Sequence, residues 1–305
     1  MLYKSIEANF VLILVIAIIA GVVFPQLAAL QNAIHLLLAF IIFLSSFKVD
    51  INIIFNYIKD LRFFGSRFIL IKFIMPLAVF YTISLFSLEL ALGSLLLVAT
   101  PSGLSNVVLS DIFKGNNELS LAFTITSHLL SVITIPLLVF ITIRESISFD
   151  YISLLISLVE IVLIPLILCC LVKKFFWHKL EPYSKYSSAI SIIFIFIVVS
   201  GIVSINRGSF LEFQNFITTI IFVILLLLTM MFLGFFLGNN KKDKLAISLS
   251  SYHINAVLGL YIASTFFSKG VVVVLISAVL SLDILLVVFT WVTGHYIQNS
   301  SIKSP

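Results

Sequence analysis

Small polar residues interrupt an apolar stretch between Ala99 and Thr124, where the sequence reads ATPSGLSNVVLSDIFKGNNELSLAFT. The interruption begins with Pro101 and Gly103, and both residue types break helices, proline because it lacks an N–H and glycine because its backbone is unrestricted. At bilayer depth, irregular backbone survives where it is buried in protein or lines a polar cavity. A broken helix with small polar groups is typical of a transporter's binding site. The alternative is a proline-kinked helix whose polar side chains are satisfied locally.

Four polar side chains that follow the break could bind an ion or a hydrogen-bonding substrate: Ser105, Asn106, Ser120 and Thr124. Ser120 and Thr124 are four residues apart and therefore share one face of a helix. Neutral oxygens without a carboxylate suit a weakly bound, hard monovalent cation. If a second half-helix begins near Ser102, its free N–H groups and positive dipole end also favour an anionic substrate. The alternative for each hydroxyl is a hydrogen bond back to its own helix.

A second polar cluster lies within a later apolar segment, in the sequence SSYHIN that begins at Ser250. Ser250, His253 and Asn255 are candidate ion or substrate ligands in this cluster. The imidazole of His253 can also titrate near neutral pH. We expect this cluster to meet the first one near the middle of the membrane.

Lys72 is predicted to lie inside an apolar segment, where an ionised side chain is costly unless it is paired or hydrated. Its ammonium could take the place of a bound cation. Because burial favours the neutral amine, Lys72 could instead carry a coupling proton. Glu160 and Asp283 are also predicted in mid-segment and are candidate partners, whereas His35 and His128 are interpreted as satisfied histidines of the helix bundle. The alternative for Lys72 is a side chain that snorkels to the interface.

The composition places all these residues in a polytopic membrane protein without a soluble domain. Of the 305 residues, 61% are hydrophobic and 10% are charged, with a mean hydropathy of +1.25, whereas soluble domains carry about 25% charged residues. Ten apolar segments reach the roughly 20 residues that a membrane helix needs: residues 9–25, 28–47, 64–87, 89–113, 118–143, 150–173, 186–204, 213–238, 244–267 and 270–297.

The distribution of basic residues predicts the orientation of these segments. Fourteen of the 18 Lys and Arg residues fall on the side that holds both termini, and three fall on the other side, with Lys72 inside a segment. Because positive charge marks the cytoplasmic side, we predict a multi-pass protein of the cell (inner) membrane with both termini cytoplasmic. The net charge of +5 follows this topology, so we expect the lipid bilayer, and no nucleic acid, as a partner.

The two halves of the chain, residues 1–148 and 149–305, are predicted to be repeats. Asn106 in the fourth segment lies 149 residues before Asn255 in the ninth, and each segment has a polar middle. Five segments per half is an odd number, so the halves must insert in opposite orientations, as in the inverted repeats of many transporters.

Several motifs resemble the bile acid:sodium symporter family. They are P-x-G at Pro101, then S-N-V, then G-N-x-x-L-S-x-x-x-T, with Pro136 later in the same segment. KKDKLAISLSSYHINAVLGLYIASTFF at 241–267 is similar to the ninth span of that family, and IKFIMP at 71–76 to its third. The resemblance implies an all-α membrane protein of ten transmembrane helices with crossing, discontinuous fourth and ninth helices. It further implies a core (64–143 and 213–297) and a panel (9–47 and 150–204).

In that family two sodium ions sit behind the crossing, and the resemblance implies that Ser105, Asn106, Ser120 and Thr124 contribute to one of these sites. The chain departs from the family pattern at the other ligands. The family's ninth-span glutamate matches Ser250, and a glycine and a glutamine match Tyr252 and Ile254, whereas Asn255 is retained. A third-span glutamine aligns with Ile71, next to Lys72. Asp283 would lie in the core with Lys72, which makes it the expected partner of the lysine.

These features predict a secondary transporter that moves a small organic anion, a carboxylate or bile-acid-like molecule, by alternating access. The lost glutamate and glutamine favour sodium-independent or proton-linked transport. A sodium-coupled symporter and an auxin-efflux-type carrier are the alternatives. Na⁺ or H⁺ is the expected coupling ion, with no other cofactor. An intramembrane enzyme is disfavoured because the sequence lacks an HExxH motif, a paired-aspartate motif and a Gly-x-Gly-Asp motif.

Overall fold

The structure is a computed structural model that describes residues 9–48, 61–143, 149–208 and 216–301. The described residues form helices and no strand. The predicted ends of the two halves, residues 1–8, 144–148 and 302–305, lie outside the described residues, as does the start of the predicted core segment at 213. The α-helices are α1 Phe10–Val23, α2 Gln31–Ser45, α3 Ser66–Ile69, α4 Met75–Ser84, α5 Leu88–Ala99, α6 Asn106–Ile112, α7 Asn117–Ile143, α8 Tyr151–Leu158, α9 Ile164–Ser184, α10 Ser187–Ile205, α11 Phe216–Phe236, α12 Lys241–Tyr252, α13 Ala256–Phe266 and α14 Lys269–Ser301.

The length and composition of the helices fit a multi-pass membrane protein. Seven helices of the described residues are long and apolar enough to cross a bilayer: Pro25–Ser45, Arg62–Ser84, Asn117–Ile143, Tyr151–Phe176, Ser187–Ile205, Phe216–Phe236 and Lys269–Leu286. Three shorter apolar helices are Leu12–Val23, Leu88–Ala99 and Ala256–Phe266. Two of these three are halves of interrupted segments, since α6 follows α5 after a six-residue break and α12 precedes α13 by three residues.

Two proline residues shape the helices that carry the ionisable residues Lys72 and Glu160. A π-helical turn spans Leu70–Ile74 just before Pro76, and another spans Val159–Leu163 just before Pro165. Proline has no N–H to donate, and its ring pushes away the carbonyl four residues earlier, so the preceding turn widens. In both cases the wide turn is the one that holds the ionisable side chain.

Side-chain caps fix where several helices begin. Ser87 accepts a hydrogen bond from the Leu90 N–H at the start of α5, and Asn240 accepts one from the Asp243 N–H at the start of α12. These caps satisfy backbone donors that have no partner within the helix. The two broken segments therefore start at positions that the local sequence defines.

The helices pack in two groups. In one, α10 packs against α1 and α2, and α9 packs against α2. In the other, α14 packs against α5, α11 and α13, while α12 packs against α11 and α7. A Cβ atom on Gly234 of α11 would lie 2.9 Å from the Cα of Ser248, so this glycine permits the close contact between α11 and α12.

Candidate functional site

The two breaks in the helices meet and form a short crossing. Ser102 and Ile254 form an isolated antiparallel β-bridge. The Gly103 N–H donates to the His253 carbonyl at 2.8 Å, and the Asn255 N–H donates to the Pro101 carbonyl at 2.8 Å. Backbone groups that the helices leave unpaired are thereby satisfied across the crossing, as a buried irregular segment requires.

The sequence explains why the chain is extended at this point. Thr100 precedes a proline, which excludes the helical conformation, and it adopts φ −56° and ψ 146°. Gly103 is needed because a Cβ there would lie 2.6 Å from the His253 Nδ1 atom. In the second segment, His253 is extended with φ −86° and ψ 90°. Asn255 then caps α13, since its side chain accepts a hydrogen bond from the backbone N–H three residues on.

Lys72 reaches this crossing and does not snorkel to the interface. Its side chain is only 2% exposed, and its Nζ donates to the Thr100 carbonyl at 2.8 Å. Thr100 is the C-cap of α5. Carbonyls at a helix C-terminus lack partners within the helix and carry partial negative charge, so they attract cations. The ammonium therefore holds a position at which a transporter would use an unwound carbonyl to bind a metal cation.

The four residues of the predicted first ion site differ in their burial and in their hydrogen bonding. Asn106 and Ser120 are completely buried, and the Asn106 Oδ1 and Ser120 Oγ atoms have no hydrogen-bond partner among the described residues. Thr124 is buried as well, but its hydroxyl donates to the Ser120 carbonyl at 2.9 Å. Ser105 is exposed. α6 packs against α7, with Val107 in contact with residues of α7.

The three residues predicted in the second segment all lie at the crossing. The Ser250 carbonyl accepts a hydrogen bond from the Ser102 hydroxyl at 2.6 Å, while its own Oγ is buried without a partner among the described residues. The His253 carbonyl also accepts from the Asn106 Nδ2 at 2.9 Å, and the His253 Nδ1 is buried against Gly103. Three neutral hydroxyl or amide oxygens, on Asn106, Ser120 and Ser250, are thus buried without a hydrogen-bond partner within the described part of the chain.

The oxygen atoms at the crossing fit a bound sodium ion in one respect and do not fit it in another. Neutral, buried oxygens without partners fit a hard monovalent cation, since each oxygen left without a partner costs about 1–3 kcal/mol. The Thr100 carbonyl does not fit such an ion, because the Lys72 ammonium already bonds to it. The predicted first ion site also offers little negative charge to a cation, since Ser250 provides a neutral hydroxyl there and not a carboxylate.

His128 is a satisfied histidine of the bundle, as the sequence indicated, but the sequence did not place it at the crossing. Its Nδ1 lies 2.8 Å from the Thr124 carbonyl, which can only accept, so Nδ1 carries the proton. The Nε2 of the neutral ring is then the acceptor for the Asn255 Nδ2 at 3.4 Å. The only sequence signal was the placement of a histidine one turn after Thr124.

The remaining ionisable residues lie elsewhere. Glu160 pairs with His35, with 3.0 Å between Oε2 and Nε2, and the His35 Nδ1 lies 2.9 Å from the Tyr261 hydroxyl. Glu160 is therefore held by a partner other than Lys72. Asp283 lies in α14, but its side chain is outside the part of the chain that the structure describes.

The chain resembles known membrane proteins along much of its length. A family model described as Sodium Bile acid symporter family matches residues 35–213. An uncharacterized sodium-dependent transporter of Bacillus subtilis, YocS, is 35% identical over 124 residues, which cover 41% of this chain and 39% of that protein. A probable chloroplastic sodium/metabolite cotransporter of Arabidopsis thaliana, BASS1, is 25% identical over 210 residues, 67% of this chain and 52% of that protein. The match thus spans about two fifths and about half of the lengths of these two relatives.

Proposed function

The chain belongs to the sodium bile acid symporter family, and from that premise we propose that it is a secondary transporter of a small organic anion that works by alternating access. It is a transporter and not an enzyme. The crossing of the two broken helices, closed by the Ser102–Ile254 bridge, is the observation that carries the proposal. Such crossings place a binding site near the middle of the membrane.

The proposed architecture has ten membrane-spanning segments in two inverted repeats, residues 1–148 and 149–305. The two packing groups support a division into a panel (9–47 and 150–204) and a core (64–143 and 213–297). The crossing lies in the core, and the anion would bind between core and panel. The charge distribution of the sequence supports a cell-membrane protein with both termini cytoplasmic.

We propose that Lys72 acts as a built-in cation and makes transport sodium-independent or proton-linked. The support is its burial and its bond to the Thr100 carbonyl. The relatives named as sodium-dependent or sodium/metabolite transporters point to sodium coupling, which is our second candidate. The buried oxygens of Asn106, Ser120 and Ser250 favour that second candidate.

The experiment is counterflow in proteoliposomes. Radiolabelled cholate and pyruvate serve as probes, with the unlabelled compound inside the vesicles. A carrier accumulates the label transiently, whereas a channel only equilibrates it. The proposal fails if neither carboxylate shows counterflow while amino acids or sugars do.

Coupling is then tested by replacing external sodium with choline at constant ionic strength, at pH 6 and pH 8. The proposed role of Lys72 requires uptake that persists in choline. Uptake that depends saturably on sodium would instead favour the second candidate, with the buried hydroxyl and amide oxygens as ligands.

A further inference from the structure

A three-residue polar chain joins the two packing groups away from the crossing. The Glu160 Oε2 lies 3.0 Å from the His35 Nε2, and the His35 Nδ1 lies 2.9 Å from the Tyr261 hydroxyl. The His35 and Tyr261 rings also meet edge to face, with centroids 5.8 Å apart. His35 and Glu160 belong to the panel helices and Tyr261 to α13 of the core, so the chain crosses the boundary that must move during alternating access.

These residues lie deep in the membrane. His35 is about ten residues into the helix Pro25–Ser45, and Glu160 is nine residues after Tyr151 in the helix Tyr151–Phe176. At 1.5 Å per residue this places both near the middle of a hydrocarbon layer about 30 Å thick. Their side chains are nevertheless 34% and 49% exposed. Ionisable groups at this depth usually face a water-filled crevice or the bundle interior, so a partly exposed pair at the boundary of core and panel fits a crevice between them.

The hydrogen bonds define two protonation states of this chain. With Glu160 ionised and His35 neutral, Nε2–H donates to the carboxylate and Nδ1 accepts from the Tyr261 hydroxyl, and the net charge is −1. One added proton binds to Nδ1 of His35. Glu160 and His35 then form an ion pair with no net charge, and Nδ1–H of His35 donates to the Tyr261 oxygen.

We propose that His35, Glu160 and Tyr261 form a proton-binding site whose occupancy favours contact between core and panel. The inference rests on the proposed alternating-access function and names the coupling ion for it. A net charge of −1 needs water, so the unprotonated site favours an open crevice. The neutral protonated site tolerates dehydration, so it favours closure.

The titratable groups on the surrounding helices are the charges that could also affect this site. α10, which packs against α2, carries no titratable residue. Other titratable groups on described elements packed against the helices of His35 and Glu160 are Lys48 in the turn Ser46–Lys48, Tyr151 on α8, Glu118 and His128 on α7, Cys169 and Cys170 on α9, and the charged run of α9 that begins at Lys173. Lys173 is thirteen residues beyond Glu160, about 20 Å along the helix, and it bonds to the Phe47 carbonyl.

The test measures the closeness of core and panel as a function of pH. Ser157 lies one turn before Glu160 on the panel, and Thr265 lies one turn after Tyr261 in the core, where its hydroxyl donates to the Tyr261 carbonyl, so Ser157→Cys with Thr265→Cys reports closure of the boundary. Both native cysteines, Cys169 and Cys170, are replaced by serine, and a short thiol-specific crosslinker is applied to substrate-free proteoliposomes between pH 5.5 and pH 8. We expect the yield to rise severalfold towards low pH.

A control pair of cysteines corrects for the effect of pH on the reactivity of the thiols. Ser45 and Ser191 lie within the panel with their hydroxyls 3.4 Å apart, so Ser45→Cys with Ser191→Cys calibrates the chemistry. Relative to that pair, Glu160→Gln and His35→Gln should flatten the pH profile. His178→Gln, at an exposed position on α9, should leave the profile unchanged.

Two further variants keep the inference falsifiable. Tyr261→Phe removes only the hydroxyl and should lower the yield at low pH even if Glu160→Gln fails to fold. Lys72→Gln should leave the pH profile intact. Unchanged profiles in folded Glu160→Gln, His35→Gln and Tyr261→Phe, or a profile abolished by Lys72→Gln alone, would overturn the inference. Because no organic anion is present, a failure of the proposed substrate class would leave this result standing.

Discussion

Replacement of Lys72 by methionine should make the protein depend on a metal cation for stability. The substitution keeps an unbranched side chain of similar length but removes the ammonium that donates to the Thr100 carbonyl at 2.8 Å. The carbonyl is buried, and a buried polar group that loses its partner costs about 1–3 kcal/mol. Loss of the buried charge recovers part of this cost. We therefore expect a net loss of about 1–2 kcal/mol in the absence of sodium.

Sodium should restore the lost stability of Lys72→Met. A ligand that binds only the folded state stabilises it by mass action, by about 2.7 kcal/mol at 100 times its dissociation constant. For a chain of this size, 1 kcal/mol shifts the melting temperature by about 2 °C. In choline, the variant should melt about 2–4 °C below the parent protein, and this difference should vanish saturably as sodium replaces choline at constant ionic strength.

The assay is thermal unfolding of the detergent-purified protein, followed by tryptophan fluorescence. Lys179→Met, at an exposed position on α9, is the matched control and should behave like the parent in both salts. The reasoning is refuted if Lys72→Met has the same sodium response as the parent protein. A parent protein that is itself strongly stabilised by sodium would show that the oxygens of Asn106, Ser120 and Ser250 bind the ion beside the lysine.

Three smaller changes test other parts of the site. Gly103→Ala should lower counterflow about tenfold or more, because the new Cβ would lie 2.6 Å from the His253 Nδ1, whereas Gly208→Ala, with no atom of the described residues within 4 Å, should leave it unchanged. Asn106→Ala should cost only about 1 kcal/mol of unfolding free energy, since the His253 carbonyl keeps its bond from the Gly103 N–H; a larger fall in counterflow than in melting temperature would show a binding role, and equal falls would contradict it. The pKa of the exposed Asp150 carboxyl is lowered by hydrogen bonds from the side chain and backbone of the serine three residues on, so its stabilising effect is present at neutral pH and is lost as the pH falls through the folded-state pKa. Asp150→Ala should therefore lower the melting temperature more at pH 7 than at pH 2, and an equal effect at both values would contradict the assignment.

Local sequence determined much of the secondary structure around the site. Pro101 and Gly103 end one helix and allow an extended segment, because their effects on the backbone need no distant partner. The apolar segments likewise indicated membrane helices, and the resemblance to the bile acid:sodium symporter family is confirmed by the family match. The family match and the names of the relatives likewise point to a transporter and not to an enzyme.

The partners of the ionisable residues could not be read from the sequence. Glu160 was a candidate partner of Lys72, yet it pairs with His35, 125 positions earlier in the chain. Lys72 instead bonds to the backbone of Thr100, a residue that carried no side-chain signal. The ligand roles of Ser105, Asn106, Ser120, Thr124, Ser250, His253 and Asn255 stay predictions.

The sequence by itself indicated that this protein crosses the membrane repeatedly, where one helix breaks and which ionisable residues lie within the apolar segments. Proline and glycine affect the backbone locally, and composition is an average over the whole chain, so both can be interpreted from the sequence without knowledge of the fold. Only the tertiary structure decided which polar atoms meet: the Lys72 ammonium on the carbonyl that ends α5, and the Glu160, His35 and Tyr261 chain between two helix groups. Those contacts depend on helix packing between distant parts of the chain, and charged groups within a membrane take whichever partner that packing brings within hydrogen-bonding distance.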